Sequence, residues 1–121
     1  MSKSLGNILT IKEILKDWHP EVLRLFFLSH HYRSPVDYSE DSFNDAKIGL
    51  DKFYSTLNSI QDELKKPLQG QKKTESPIID DCRKAVESFQ AQFEEAMDDD
   101  VNTAQAIGYF YDLQTHFNSL L

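Results

Sequence analysis

Ser39-Glu40-Asp41-Ser42-Phe43-Asn44-Asp45-Ala46-Lys47-Ile48-Gly49-Leu50-Asp51-Lys52-Phe53-Tyr54-Ser55-Thr56-Leu57-Asn58-Ser59-Ile60-Gln61-Asp62-Glu63-Leu64 is the stretch from which the fold can be read. Its apolar residues Phe43, Ala46, Leu50, Phe53, Leu57, Ile60 and Leu64 recur at alternating spacings of 3 and 4, which is one face of a sustained α-helix. Ser39 stands where an N-cap belongs. Ile79, Cys82, Val86, Phe89, Phe93 and Ala96 repeat the pattern after Ser76-Pro77. Ala106, Phe110, Leu113, Phe117 and Leu120 supply a third stripe after Asn102, a cap that Gln105 can answer from the third helical position. Three stripes of this kind predict an all-α chain ending in an antiparallel helical bundle. A helix of about 25 residues is about 37 Å long, so the bundle should be an elongated strut. The aromatics of the stripes are assigned to the core, and none to a site. Cys82 lies on the same face and is read as a core residue.

Upstream, Thr10-Ile11-Lys12-Glu13 has the form of a capping box opening a short helix to about Asp17, with Ile11, Ile14, Leu15 and Trp18 on one face. Pro20 suits the first turn of a second helix, where its missing donor costs nothing. That helix carries Val22, Leu23, Leu25, Phe26, Phe27 and Leu28 and is apolar nearly all round, which predicts burial on more than one side. His30-His31-Tyr32-Arg33-Ser34-Pro35 forms its exit, Pro35 biasing Ser34 to an extended conformation. The adjacent histidines are not read as metal ligands, because neighbours on a helix point apart and no cysteine or carboxylate completes a set. Between the first two long helices, Pro67 and Gly70 mark a linker over about 65–76. Asp98-Asp99-Asp100 lies just ahead of the last helix, whose positive end favours carboxylates, so it is read as a turn stabiliser. A magnesium site is the alternative reading.

With 121 residues the chain can form one real core but not a large catalytic domain as well. No apolar run approaches the roughly 18 residues of a membrane span, and no signal-peptide pattern opens the sequence. The single cysteine excludes an intramolecular disulfide and fits a reducing, cytoplasmic setting. A formal charge of -7 argues against a stand-alone nucleic-acid binder. The charge is unevenly spread: residues 1–33 hold five basic against three acidic groups, and residues 34–121 hold eight against seventeen. The N-terminal part and the Lys65, Lys66, Lys72, Lys73 segment are therefore the regions suited to an RNA backbone, a solvated linker being the plainer reading of the latter.

Met1-Ser2-Lys3-Ser4-Leu5-Gly6-Asn7, His19-Pro20-Glu21-Val22-Leu23-Arg24-Leu25-Phe26-Phe27-Leu28-Ser29, His31-Tyr32-Arg33-Ser34-Pro35, Tyr38-Ser39-Glu40 and Ala96-Met97-Asp98-Asp99-Asp100-Val101-Asn102-Thr103 stand in order along the chain. In that order and spacing the sequence resembles the cysteinyl-tRNA synthetases after their second signature motif. The family's loop reads Lys-Met-Ser-Lys-Ser, so the resemblance makes Lys3 its second lysine, acting on ATP as pyrophosphate leaves, with Ser2 and Ser4 as hydroxyl donors to phosphate. A mobile ammonium placed there stabilises the transition state more than the ground state. The resemblance further implies ATP with magnesium as substrate, zinc held in the family's catalytic domain by ligands absent from this sequence, and tRNA(Cys) as partner. Arg33 and Tyr32, with Lys65 and Lys66, are candidate tRNA contacts. Residues 1–38 would hold the end of the loop and a stem-contact region, and residues 39–121 the bundle lying along the anticodon stem.

The same resemblance implies that the chain begins inside the loop and stops at Leu120-Leu121 within an amphipathic pattern. A catalytic domain would then precede it and an anticodon-binding domain follow it, and the chain alone would be inactive. Two other readings stay open. The related cysteine ligases of mycothiol synthesis share the loop but use an amino sugar as acceptor. A helical protein-interaction module would instead turn the stripes into a coiled coil between chains.

Overall fold

Each helix begins where its side chains can satisfy the first unpaired backbone amides. The computed structural model describes residues 9–66 and 77–121, and these contain five helices and no strand. Helix α1 (Ile11–Asp17) opens on the expected capping box. The Glu13 N–H donates to Thr10 Oγ1 at 3.3 Å and the Thr10 N–H donates to Glu13 Oε2 at 2.8 Å. That backbone bond, with the Thr10 hydroxyl behind it, holds the Glu13 carboxyl below its ordinary pKa. Helix α2 (Pro20–Leu28) has Pro20 at its first position and His19 as N-cap, the His19 Nδ1 accepting from the Glu21 N–H at 3.3 Å. Helix α3 (Glu40–Lys65) opens on Ser39, to which Ser42 replies. Helices α4 (Pro77–Asp98) and α5 (Thr103–Leu120) follow, joined by a short turn.

One apolar cluster locks the first three helices together. Ile14, Val22, Leu23, Phe26, Phe43 and Ala46 are buried in it, with Trp18 and Leu50 packed on its edge. The Phe26 and Phe43 rings stand 4.7 Å apart between centroids, and Trp18 lies 5.5 Å from Phe43. The expectation that α2 is buried on several sides holds for Val22, Leu23, Leu25 and Phe26 but not for Phe27 and Leu28, which are 48% and 46% exposed. Among the described residues, helix α2 packs on α1 and α3 and meets α5 less closely, which leaves Phe27 and Leu28 exposed. Tyr54 of α3 adds a polar tie, its hydroxyl donating to Glu21 Oε2 at 2.6 Å.

Side-chain pairings give the directions of the long helices. Phe53 lies against Phe110 and Tyr111, and Thr56 against Gln114 and Asn118, so positions rise together and α3 runs parallel to α5. Phe89 meets Phe110, and Asp81 lies 3.0 Å from His116, so α4 runs antiparallel to α5. This is the up, down, up order of the expected bundle. Its packing is less even than three complete stripes suggested. Helix α5 is the central element, with α3 on one side and α4 on the other, while α3 and α4 hardly meet. Exposure therefore climbs along the α3 stripe from 2% at Phe43 to 50% at Leu57 and 80% at Leu64. A mainly apolar groove of about 500 Å³ lies between α3 and α5, with Phe93 of α4 on its wall. Cys82, expected in the core, is only partly buried, and Ile78, Ile79 and Val86 in the same half of α4 are exposed.

Two polar residues inside the stripes set the register of α3 on α5. Gln114 Nε2 donates to Thr56 Oγ1 at 3.0 Å, and Thr56 Oγ1 lies 3.0 Å from both Asn118 Oδ1 and its own helix's Lys52 carbonyl. Thr56 and Gln114 are both buried. A buried amide left without its partner costs about 1–3 kcal/mol, so a slide of one helix along the other is penalised.

Gly49 permits the close approach of the two helices. It is buried in α3, and a Cβ there would overlap the Tyr111 hydroxyl and lie 3.2 Å from Tyr111 Cζ. Tyr111 stacks on Phe53 at 4.6 Å, so its ring cannot swing aside freely. Burial also pushes the Tyr111 hydroxyl pKa up. Gly49→Ala should gain about 0.8–1.0 kcal/mol of helix propensity. Overpacking costs roughly 1–3 kcal/mol and outweighs it. The expected result in urea denaturation is a net loss, mostly recovered by adding Tyr111→Phe. A stabilised Gly49→Ala would show that the helices part without cost.

Candidate functional site

The exit of α2 and the turn between α4 and α5 converge, and the chemistry-bearing residues of the sequence meet there. Ser29 ends α2, its hydroxyl donating to the Leu25 carbonyl at 2.7 Å, and His30 Nδ1 donates to the Phe26 carbonyl at 2.7 Å. His31 follows, half-buried, with its ring stacked on Tyr32 at 4.9 Å. Across the gap, α4 ends in a wide cap: the Val101 N–H donates to the Met97 carbonyl at 3.1 Å and the Asn102 N–H to Ala96 at 3.0 Å. Closing that turn puts Asp100 at φ 54° and Val101 at φ 53°. The left-handed region is unusual for any side chain other than glycine and strained for a β-branched one. Each such residue costs of the order of 1–3 kcal/mol and persists only where its surroundings hold it.

Asp100 is what is held. Its Oδ1 accepts from the Tyr32 hydroxyl at 2.6 Å and from Arg33 Nη2 at 3.3 Å, and its Oδ2 pairs with Arg33 Nε at 2.9 Å. Arg33 Nε also donates to the Tyr32 hydroxyl at 2.8 Å, and the guanidinium lies 5.4 Å from the Tyr32 ring centre. His31 Nε2 stands 3.9 Å from the same carboxylate, and Thr103 Oγ1 reaches the His30 carbonyl at 3.4 Å. The bond to Asp100 raises the Tyr32 hydroxyl pKa above its ordinary value, against the opposing pull of Arg33. Beside this cluster, Phe27, Leu28, His30, Val36, Val101 and Thr103 help line a hollow of about 540 Å³.

Of the acidic run, read in the sequence as a stabiliser of the turn ahead of α5, Asp100 turns its carboxylate to the exit of α2, a connection the sequence did not disclose. Asn102 caps α5, accepting from the Gln105 N–H at 3.1 Å. Gln105 answers the Asn102 side chain at 3.1 Å rather than its backbone, so only half of the expected reciprocal pair forms. Among the candidate RNA contacts, Tyr32 and Arg33 are brought together on this junction and remain exposed. Lys65 and Lys66 stand apart at the far end of α3, paired within one turn to Asp62 at 3.1 Å and to Glu63. Exposed pairs of this kind contribute little to stability. Lys3, Ser2 and Ser4 lie outside the described residues, as do Lys72, Lys73 and the linker from residue 67 to 76. Among the described residues, no group of three or more His, Cys, Asp or Glu side chains is placed to hold a metal ion, so nothing there fits zinc.

Residues 1–48 match the model of the class I (C) tRNA synthetase catalytic domain, and residues 92–121 match the DALR domain. An all-α chain that carries both is a class I aminoacyl-tRNA synthetase segment. It is 48% identical over 121 residues to a cysteine--tRNA ligase of Geobacter metallireducens, covering 100% of this chain and 24% of the relative. It is 42% identical over 130 residues to that of Syntrophobacter fumaroxidans, covering 100% of this chain and 25% of the relative. With the cysteine--tRNA ligase of Thermococcus gammatolerans it shares 41% over 121 residues, again 100% of this chain and 25% of the relative. The chain belongs to the cysteine--tRNA ligase family. It spans about a quarter of the length of the curated relatives it matches.

Proposed function

We propose that this chain works as the segment of an ATP-dependent cysteine--tRNA ligase that links ATP activation to the seating of tRNA(Cys). The observation that carries the reading is the identity of 41–48% along the whole chain to ligases of this name. Lys3, flanked by Ser2 and Ser4, supplies the mobile ammonium at the ATP phosphates, with magnesium accompanying the nucleotide. Residues 1–38 close the loop and reach the acceptor side, and residues 39–121 lie along the anticodon stem. The match to the DALR domain supports that placement. Zinc belongs to the catalytic domain of the whole ligase, and no step is assigned to it here. That catalytic domain and an anticodon-binding domain are the chain's partners in the working enzyme.

Helix α3, with 26 residues, is about 39 Å long and suited to tracking a stem. Lys65 and Lys66 at its end, with Arg33 and Tyr32 at the junction, contact the tRNA backbone. The overall charge of -7 restricts that contact to these local cations. No helix among the described residues is long and apolar enough to cross a membrane, and the proposed setting is the cytoplasm, where tRNA charging takes place.

The test is acceptor and activation chemistry. The ligase carrying this segment is expected to exchange pyrophosphate into ATP only with cysteine and to charge tRNA(Cys), while the 121-residue chain alone forms no aminoacyl-adenylate. Condensation of cysteine with an amino sugar in place of tRNA would overturn the assignment of acceptor.

A further inference from the structure

The junction at Asp100 joins the two matched regions, since His30 to Arg33 fall within the catalytic-domain match and Asp100 to Thr103 within the DALR match. Many groups meet at that junction: one carboxylate takes a phenol, two guanidinium nitrogens and the approach of an imidazole. The contacts are exposed, Asp100 at 44% and Arg33 at 68% of their side chains, so they add little to stability. What they do fix is direction. The left-handed backbone of Asp100 and Val101 turns the carboxylate toward Tyr32 and Arg33 and places Val101 in the hollow beside Phe27 and Leu28.

We propose that Asp100 is a positioning residue, setting the angle between the α4 to α5 helices and the catalytic-domain end of the chain through Tyr32 and Arg33. The inference rests on the proposed ligase function. A tRNA seated on the bundle is then delivered to the activated cysteine at a defined distance, and loss of the clamp lets the bundle drift. A misplacement of about 1 Å can cost a hundred-fold in rate, and a hinge loosened rather than broken should cost about ten-fold.

In the ligase carrying this segment, Asp100→Asn is expected to lower kcat/KM for tRNA charging about ten-fold while cysteine-dependent pyrophosphate exchange stays within about two-fold. Arg33→Gln with Tyr32→Phe should lower charging by at least as much, since those two side chains also contact the tRNA backbone on the proposed function, and adding Asp100→Asn to that pair should cause no further loss. Equal loss of exchange and charging would make Asp100 merely structural and overturn the proposal. Unchanged charging, or losses that multiply, would overturn it as well. The 121-residue chain supplies the independent arm: Asp100→Asn should return the Tyr32 phenol toward its ordinary titration by NMR, and an unmoved Tyr32 would sink the clamp itself. Absence of cysteine-dependent exchange in the unsubstituted ligase would instead fall on the proposed function, leaving the Tyr32 result to judge the geometry.

Discussion

Phe26→Ala is expected to destabilise the chain by about 3–5 kcal/mol, the range for a fully buried phenylalanine. Phe26 is 3% exposed and touches Phe43 of α3 as well as Phe27 and His30 of its own helix, at ring distances of 4.7, 5.4 and 5.0 Å. Its removal opens a cavity where α1, α2 and α3 meet. Trp18 and Leu50, which are only partly buried at the rim, can fill some of that space. A domain of this size is stable by about 5–15 kcal/mol, so the loss removes a large share of it. Leu64→Ala, at the exposed end of α3, should change stability by no more than about 0.5 kcal/mol. Leu64 is 80% exposed, so the contrast isolates burial from helical periodicity. Urea denaturation of the two variants checks this, and equal midpoints would contradict the uneven core.

On the proposed function, Lys3→Ala in the ligase carrying this segment is expected to slow cysteine activation by about 100- to 1000-fold, the usual effect of removing one donor aimed at charge that builds in the transition state. The loss should appear in kcat of pyrophosphate exchange, with the KM for ATP little changed, because uniform binding of ATP would alter KM alone. Transfer of cysteine from a preformed adenylate to tRNA should be spared. That pattern is the inverse of the one expected for Asp100→Asn, where exchange survives and charging fails. Together they separate chemistry at the loop from geometry at the junction. An Ala variant with normal exchange would remove Lys3 from the activation step.

Most of the secondary structure was legible because it depends on local chemistry. Thr10 with Glu13, Pro20 and Ser39 begin their helices where a reading of caps places them. The stripe from Phe43 turns its first part toward the core, and Ala106 is buried at the start of the last one. Two features inside those stripes had a signal that periodicity alone passes over. Thr56 is three residues beyond Phe53, and Gln114 four beyond Phe110, so both sit at core positions. A polar residue there calls for a partner, but which partner depends on how two helices are aligned. Gly49 likewise reads as a weak helix former until Tyr111 is seen against it.

The candidate site was legible in its residues and not in its connections. Tyr32, Arg33 and the acidic run could each be singled out, but their meeting spans 68 positions along the chain. No spacing rule links such distant residues.

The sequence by itself determined the all-α class, the helix starts, the order of the three long helices and the family resemblance, since each rests on neighbours within one or two turns or on an ordered set of motifs. Only the tertiary structure decided that α5 is central, that the far half of the α3 stripe stays open, and that Asp100 clamps the exit of α2. Those outcomes depend on which faces find partners in space and on two left-handed residues that aim one carboxylate across the turn. Local pattern sets which surfaces are apolar or charged, and packing sets which of them meet.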